Sequence, residues 1–310
     1  MNIDVIIPVY KPTEYLLSIF LRLSNQTLKP NRVIVINTEK DYWDNFFGTF
    51  DILSKYPFLE VHHISKEEFD HGATRDYGIS FSNTELFLLM TDDAVPQDSH
   101  MIENMAKAFE NPKIGMCYAR QMARKYCHVI EKYTRTFNYP STSITKGIDD
   151  LEKLGIKTFF ASDVCCMYRR KIYDELDGFI KKTIFNEDMI FARKLIEKGY
   201  LIRYEATALV EHSHNYTGWQ YLKRNFDLGV SQADHPETFG DVKSEGEGIS
   251  LVKKTAVYLC KKLMPHMVIK LVYQSGMKYV GFYLGQRYAK LPKRLVLKLT
   301  ASPAYFSMED

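Results

Sequence analysis

Features that would place this chain across a membrane or in an oxidising compartment are missing from its sequence. No apolar run approaches the roughly 18 residues that a membrane-spanning helix needs, and Met1 leads directly into a strand pattern instead of a signal peptide. The five cysteines are odd in number and lack Cys-x-x-Cys spacing, so neither a disulfide framework nor a zinc site is indicated. We therefore expect a cytoplasmic protein with reduced cysteines.

Glycine is missing from the first predicted turn. Residues 3–9 and 32–36 are short β-branched runs, and the stretch between them has helical spacing at Leu16, Phe20 and Leu23, which predicts a parallel βαβ unit. The turn after the first run, PVYKP, lacks the glycines that a dinucleotide-binding GxGxxG motif and a P-loop both require. Phosphates of a bound nucleotide would need other partners, for which acids with a metal ion are candidates.

Acidic residues are missing from the C-terminal fifth of the chain. Residues 248–308 contain eleven Lys or Arg and no Asp or Glu, so the net charge of +3 hides a remainder that carries −8. Lysines interleaved with apolar residues predict amphipathic helices that lie on an anionic membrane surface without crossing it. The alternative is an ordinary helical region that packs on the catalytic domain or on a second subunit. We divide the chain into residues 1–235 and a basic region, 236–310.

Among the features that are present, residues 86–96 (LFLLMTDDAVP) organise the rest. Five apolar residues followed by acids predict a strand buried on both faces, with Asp92 and Asp93 at its C-terminal end. Ligands of open α/β sheets bind at that edge, and adjacent carboxylates there repel each other unless a cation lies between them. The pair suits a divalent ion that holds a diphosphate. Taken alone, it is also a common turn and capping signal.

A second acidic pair and a histidine pair follow later in the chain. Glu187 and Asp188 precede an amphipathic helical pattern, where capping of the helix is the alternative to a catalytic role. His212 and His214 have the spacing that places two imidazoles on one face of a strand, which suits metal binding. A pair of histidines is also common on surfaces and in cores.

The remaining pattern completes an α/β protein. Residues 59–64 and 113–118 read as strands. His71 with Arg75 could bind an anion near a helix N-terminus, and the alternative is a solvated helix start capped by Asp70. Residues 120–157 predict an irregular excursion, residues 159–168 a buried strand, and residues 201–204 and 208–211 two short strands.

Together these motifs resemble family 2 glycosyltransferases of the GT-A fold over residues 3 to about 233. The matching stretches are IIPVY, QTLKP, TDDAVP, NEDM and the histidines after it. Within the family, five stretches are similar to the bacterial rhamnosyltransferase subgroup: EEFDHGATRD, RTFNYPS, FFASDVCCMYRR, HSHNYT and RNFDLG. The resemblance implies a Rossmann-like, mostly parallel sheet flanked by helices, followed by the basic helical extension.

The resemblance also assigns roles to residues. Asp93 would hold Mn²⁺ or Mg²⁺, and His212 or His214 would complete the metal shell or touch the diphosphate. Asp188 would be the general base of an inverting displacement, with Glu187 positioning the acceptor or a loop. Asn37 stands where the family commonly has a base-contacting Asp, and its amide can still bond a pyrimidine edge. The nucleotide-sugar site would comprise Pro8, Val9, Tyr10, Asn37, Arg75 and Asp92.

The function that follows is transfer of L-rhamnose from dTDP-L-rhamnose to a lipid-linked or oligosaccharide acceptor in cell-surface polysaccharide synthesis. The enzyme would act at the inner face of a bacterial membrane. One alternative is the same fold with another donor, such as UDP-galactose or UDP-glucose. Another is a non-catalytic module that binds a glycan or a partner enzyme. No nucleic-acid partner is predicted, and whether the chain forms a homo-oligomer is left open.

Overall fold

A nine-stranded sheet forms the centre of the computed structural model, which describes residues 2–241 and 245–307. The strands are β1 (Ile3–Tyr10), β2 (Arg32–Thr38), β3 (Leu59–Ile64), β4 (Leu86–Met90), β5 (Val95–Pro96), β6 (Ile114–Met122), β7 (Ile144–Lys146), β8 (Cys165–Arg169) and β9 (Leu201–Glu211). Their order across the sheet is β3-β2-β1-β4-β8-β6-β9-β5, and β7 pairs with β9. Residues 242–244 and 308–310 of the predicted basic region lie outside the described residues.

Helices cover both faces of the sheet. They are α1 (Glu14–Ser24), α2 (Lys40–Phe47), α3 (Ile52–Lys55), α4 (His71–Ser80), α5 (Met101–Ala108), α6 (Val129–Asn138), α7 (Leu151–Leu154), α8 (Arg170–Glu175), α9 (Glu187–Glu197), α10 (Gly218–Asp234), α11 (Pro236–Phe239), α12 (Glu245–Lys261), α13 (Met267–Gly285) and α14 (Lys293–Leu299). One apolar core joins α1, α2, α3 and α5 to the sheet, and a second joins α4, α8 and α9 to the opposite face. The α/β class with flanking helices is confirmed.

Strand β8 makes the sheet mixed where the sequence predicted a mostly parallel one. Strands β3, β2, β1 and β4 pair in parallel, whereas β8 runs antiparallel to both β4 and β6. The chain reaches β8 through the excursion after β6, which ends at the sheet edge where β4 also ends, so Cys165 pairs with Met90. The loop before β8 therefore lies beside the acids that follow β4.

Three local predictions differ from the structure. The stretch 120–157 is not irregular throughout, because it contains α6, β7 and α7. Strand β8 begins only at Cys165, since residues 159–164 form a loop at the sheet edge. The two short strands predicted after residue 200 are one strand, β9, whose irregularity beside Ala119 and Arg120 accommodates the extra residues.

The C-terminal helices pack on the catalytic body. Gly281 and Gly285 of α13 face α10, and a Cβ at either position would collide with the backbone carbonyl of Leu222 or Phe226. Asp227 of α10 accepts hydrogen bonds from the Thr300 hydroxyl at 2.6 Å and the Ala301 amide at 3.0 Å. These contacts support the packing alternative for this region. No helix in residues 2–241 and 245–307 is long and apolar enough to cross a membrane.

Candidate active site

Asp93, His212 and His214 come together at the C-terminal end of β4, and we call them the metal cluster. His212 Nε2 lies 3.5 Å from Asp93 Oδ1, and His214 Nε2 lies 3.5 Å from Asp93 Oδ2. The two Nε2 atoms are 3.0 Å apart. One ligand atom from each residue falls within 4.8 Å of the others, so the three side chains can share one ion.

Arg124 contacts both chain segments that contribute to the metal cluster, the one after β4 and the one after β9. Its guanidinium donates to the Asp93 and Ser213 backbone carbonyls, and lies 3.6 Å from Asp93 Oδ2. The same guanidinium stacks over the Tyr15 ring at 3.8 Å. The Thr91 hydroxyl donates to Asp93 Oδ1 at 3.0 Å. The Asp93 carboxylate is therefore held in position by contacts from both sides.

A chain of hydrogen bonds fixes the tautomer of His212. Glu131 pairs with Arg135 at 2.7 Å, and Arg135 donates to Gln121 Oε1. Because that oxygen can only accept, His212 Nδ1, 2.9 Å away, is the protonated ring nitrogen. The Nε2 lone pair then faces Asp93 and His214. A ligating histidine oriented by a hydrogen bond through its other nitrogen is typical of metal sites.

The imidazoles of the metal cluster are neutral, as metal ligands must be. Burial lowers the pKa of His212 well below its ordinary value, and the nearby Arg135 guanidinium adds to this effect. Burial likewise lowers the pKa of His214 to about 4, although Asp93 opposes the shift. Two neutral imidazole nitrogens and one carboxylate oxygen fit a divalent transition-metal ion.

Asp92 points to a different part of the site from Asp93. Its carboxylate accepts a hydrogen bond from the Tyr10 amide at 3.3 Å, at the end of β1. Burial and the neighbouring Asp93 raise the pKa of Asp92 to about 7. The structure thus places Asp92 next to the predicted nucleotide-binding turn, and only Asp93 of the acidic pair belongs to the metal cluster.

The other predicted nucleotide-site residues lie at the ends of β1 and β2. Val9 pairs with Asn37 in register, and Pro8 precedes Val9 on the same strand. Asn37 is fully buried, its amide nitrogen donates to the Glu39 carbonyl at 3.0 Å, and it contacts His63 Nδ1 at 3.0 Å. Asn37 Oδ1 has no hydrogen-bond partner within the described part of the chain. A buried acceptor without a partner is costly unless a ligand satisfies it.

Asp188 lies in the first turn of α9 and is partly exposed. Its Oδ2 accepts from the Asp163 amide at 3.2 Å, and its Oδ1 accepts from the Met189 amide at 2.7 Å. Burial, together with the negative charges of Glu187 and Asp163, raises the pKa of Asp188 well above its ordinary value. A carboxylate with a raised pKa is a better proton acceptor than an ordinary aspartate.

Arg75 is buried between two carboxylates behind Asp188. Its Nη1 lies 3.0 Å from Glu187 Oε1, and its Nε lies 3.3 Å from Asp163 Oδ2. Burial raises the pKa of Asp163 to about 7, against the influence of Arg75. At Glu187 burial also acts to raise the pKa, but Arg75, His71 and Arg224 together outweigh it and the pKa is lowered. We call Arg75, Asp163, Glu187 and Asp188 the base cluster. The structure places Arg75 in these ion pairs, where the sequence predicted a contact with the nucleotide sugar.

The loop at residues 162–164 joins the two clusters, and sequence reasoning missed it. Ser162 Oγ accepts from Gln121, which orients His212, at 3.0 Å. Asp163 donates its amide to Asp188, and the Val164 carbonyl accepts from the Thr91 amide at 3.1 Å, two residues before Asp93. Polar residues at 162 and 163 inside an otherwise apolar run were the available signal.

Arg224 of α10 is a second residue that sequence reasoning missed. Its guanidinium is exposed, lies 4.7 Å from the Phe185 ring centroid and 5.9 Å from that of Tyr216. Tyr216 in turn stacks on His214, with ring centroids 4.8 Å apart. No carboxylate in the described ranges forms a salt bridge with Arg224, in contrast to Arg75. Its charge is therefore available to an anionic ligand near the metal cluster.

Comparisons with known proteins agree with this geometry. A family model described as glycosyl transferase family 2 matches residues 4–177. The chain is 34% identical to the O-antigen chain rhamnosyltransferase RfbN of Salmonella typhimurium, over 99% of this chain and 95% of that protein. It is 32% identical to the O-antigen chain rhamnosyltransferase WbaN of Salmonella anatum, over 93% and 88% of the two chains.

Solved structures show the same fold at low sequence identity. The mannosyltransferase PcManGT from Pyrobaculum calidifontis, in complex with GDP-Man and Mn²⁺, is 12% identical with a TM-score of 0.55, covering 99% of this chain and 86% of that one. S. aureus TarS in complex with UDP-GlcNAc is 14% identical with a TM-score of 0.52, covering 94% of this chain and 92% of that one. At this identity the likeness concerns the fold alone.

Proposed function

Because the chain belongs to glycosyl transferase family 2, it is a glycosyltransferase, and we propose that it transfers L-rhamnose from dTDP-L-rhamnose to a lipid-linked saccharide in cell-surface polysaccharide synthesis. Support for the sugar comes from two relatives named as O-antigen chain rhamnosyltransferases, which match over nearly their whole length. Support from the structure comes from the two clusters on either side of the loop at residues 162–164. One is built to hold a cation, and the other to accept a proton.

The nucleotide would bind at the ends of β1 and β2. The buried Asn37 amide lies there, beside the turn at Tyr10, and its free Oδ1 can accept a hydrogen bond from the N–H edge of a pyrimidine base. Asp92 would face the sugar or ribose from the Tyr10 side. This arrangement favours a pyrimidine nucleotide, and both dTDP and UDP offer the required N–H edge.

The diphosphate would lie between the metal cluster and Arg224. A divalent cation held by Asp93, His212 and His214 would, when bound, supply positive charge to the leaving nucleoside diphosphate. The mixed nitrogen and oxygen donors favour Mn²⁺ over Mg²⁺, which prefers oxygen ligands. Arg224, held by stacking on Phe185, would bind the same diphosphate through its guanidinium.

Asp188 would act as the general base. Its partly exposed carboxylate takes the proton of the acceptor hydroxyl as the oxygen of that hydroxyl bonds to the anomeric carbon, and the bond from this carbon to the diphosphate oxygen breaks. The Asp163 amide orients Asp188, and the ion pair between Glu187 and Arg75 keeps the first turn of α9 in place. One displacement inverts the anomeric configuration, so no second nucleophile is required.

A panel of nucleotide sugars tests this function. Purified protein with Mn²⁺ should hydrolyse dTDP-L-rhamnose faster than UDP-glucose, UDP-galactose or GDP-mannose, and EDTA should stop the reaction. In the presence of a lipid-linked acceptor, NMR of the product should show an inverted anomeric carbon. If the protein preferred a UDP-hexose, the proposed donor would be wrong but the proposed mechanism would be unaffected. Retention of configuration, or turnover unaffected by EDTA, would contradict the mechanism.

We further propose that the enzyme works at the anionic inner face of the membrane. Helix α13 packs one side on α10, and its other side exposes apolar residues: Ile269 is 77% exposed, Val272 61% and Tyr279 66%. Residues 248–307, to which α13 belongs, contain eleven Lys or Arg and no Asp or Glu. Exposed apolar side chains with lysines beside them are typical of surfaces that lie on anionic lipid.

Liposome flotation tests the membrane proposal. The intact protein should float with anionic vesicles at low salt and be released at high salt, because each lysine contributes about 1 kcal/mol through a screened attraction. Replacing Ile269 and Val272 by Ser should weaken flotation while donor hydrolysis is retained. An intact protein that never floats with anionic vesicles would contradict this location.

A further inference from the structure

A groove of about 330 Å³ lies between α6 and α12, away from the residues described so far. It is lined by three lysines, two tyrosines and one valine: Tyr133, Lys253, Lys254, Val257, Tyr258 and Lys261. Five of the six lining residues belong to α12, beyond residue 177 where the family model ends, and Tyr133 of α6 lies within the matched range. The mechanism proposed above makes no use of it.

Packing fixes the walls of this groove. Ile130 of α6, Leu259 of α12 and Leu271 of α13 form a small buried core that holds the three helices together. On the groove side, the rings of Tyr133 and Tyr258 stack with centroids 4.4 Å apart and planes 27° from parallel. The aromatic surface is therefore shared by two helices that cannot easily separate.

The six residues that line the groove carry three positive charges and no negative charge. From residue 248 to its end at Lys261, α12 carries no acidic residue, and Lys253, Lys254 and Lys261 line one side of the groove. The acid of α6, Glu131, lies two residues before Tyr133, so it points to roughly the opposite face, where it pairs with Arg135. The groove therefore suits an anion, and phosphate is the anion that lysines commonly bind.

We propose that this groove binds the phosphate-linked end of a glycolipid acceptor. The lysines would contact the phosphate groups, and the tyrosine rings would pack against the first sugar. The lipid chain would continue past Val257 and Leu263, which are 55% and 89% exposed, into the membrane. This inference rests on the proposed function and adds the site that selects a lipid-linked acceptor.

The position of α6 agrees with such a route for the acceptor. Glu131 and Arg135 face the chain of hydrogen bonds to His212, whereas Tyr133 faces the groove. Helix α6 thus separates the groove from the metal cluster, and a helix with its side chains is about 10 Å across. A saccharide anchored in the groove would have to pass α6 to reach Asp188.

Vesicle binding with matched variants tests the proposal. The groove variant carries Lys253→Ala, Lys254→Ala and Lys261→Ala, and the control variant, with equal loss of charge, carries Lys270→Ala, Lys290→Ala and Lys298→Ala. The probe is phosphatidylcholine vesicles with a small fraction of a polyprenyl diphosphate, compared with vesicles that carry equal charge as phosphatidylglycerol. The groove variant should lose about tenfold or more in affinity for the diphosphate vesicles, and the control variant much less.

Three results would overturn the proposal. The first is an equal loss in both variants, which would indicate general attraction to anionic lipid. The second is no preference of the wild type for the diphosphate vesicles over phosphatidylglycerol vesicles. The third is tighter groove-dependent binding of single-stranded DNA, since lysine and tyrosine surfaces also bind nucleic acid. Donor hydrolysis by the same proteins tests the proposed function separately, because the groove lysines are not part of the donor site.

Discussion

The metal cluster and the base cluster both contain acids, but they balance their charge differently. The base cluster holds its own cation, since Arg75 lies between Glu187 and Asp163. The metal cluster consists of one carboxylate and two neutral imidazoles, with Arg124 only at its edge. The base cluster thus pairs two of its carboxylates with its own arginine, whereas we propose that the metal cluster takes up an external ion. Donor binding should therefore depend on the metal cluster, and proton transfer on the base cluster.

The largest expected effect is a loss of sugar transfer without a loss of nucleotide binding. Asp188→Asn keeps the size of the side chain but removes the proton acceptor, so kcat for transfer should fall by about 10²–10⁴. The Kd for dTDP and its response to Mn²⁺ should remain at wild-type values. Steady-state kinetics and calorimetry on the same preparation measure both quantities. If the variant transferred the sugar at a near-normal rate, the result would indicate that Glu187 and Asp188 only cap the helix.

An intermediate effect is expected from the residue that orients His212. Gln121→Ala removes the acceptor for His212 Nδ1, so Mn²⁺ affinity should fall by about 10–100-fold, as for other supporting residues of metal sites. Mn²⁺ titration followed by electron paramagnetic resonance measures this without any turnover. Gln97→Ala, at an exposed position before α5, is the control and should bind Mn²⁺ normally. Unchanged Mn²⁺ affinity in Gln121→Ala would contradict the proposal that this cluster binds the metal.

A separate effect concerns stability instead of activity, through its dependence on pH. Burial raises the pKa of Asp163 from 3.8 to about 7, so the folded state binds a proton more tightly than the unfolded state. The free energy of unfolding should therefore decrease as pH rises from about 4 to about 7, by up to about 1.4 kcal/mol per pH unit for one proton. Asp163→Asn should flatten this slope in denaturant titrations. An identical slope in the variant would show that Asp163 titrates normally.

The sequence predicted those parts of the site that consist of recognisable acidic and histidine motifs. Asp92 and Asp93 end an apolar run and the two histidines stand two apart, so the pattern marked each pair as candidate metal ligands. The joining of Asp93 with His212 or His214 came from the resemblance to the family. The loop at residues 162–164 was missed because it acts mainly through the Asp163 amide and the Val164 carbonyl, which every residue possesses.

The fold was predictable to a similar degree. Strands β1 to β4 follow from β-branched or apolar runs, whereas the antiparallel direction of β8 depends on where the long excursion after β6 returns to the sheet, which no local pattern encodes. Arg224 was missed for a related reason. An arginine on an amphipathic helix has the pattern of a solvated face until its stacking on Phe185 is seen.

The central claim is that donor binding depends on the metal cluster and proton transfer on the base cluster. It is tested most directly by dTDP titrations with and without Mn²⁺, on wild type, Asp188→Asn and Asp93→Asn. Wild type and Asp188→Asn should bind dTDP with the same Kd and gain affinity equally when Mn²⁺ is added. Asp93→Asn should bind dTDP equally weakly in both conditions, because the ion has lost its carboxylate ligand. A Mn²⁺-dependent gain that persists in Asp93→Asn, or that disappears in Asp188→Asn, would contradict the account.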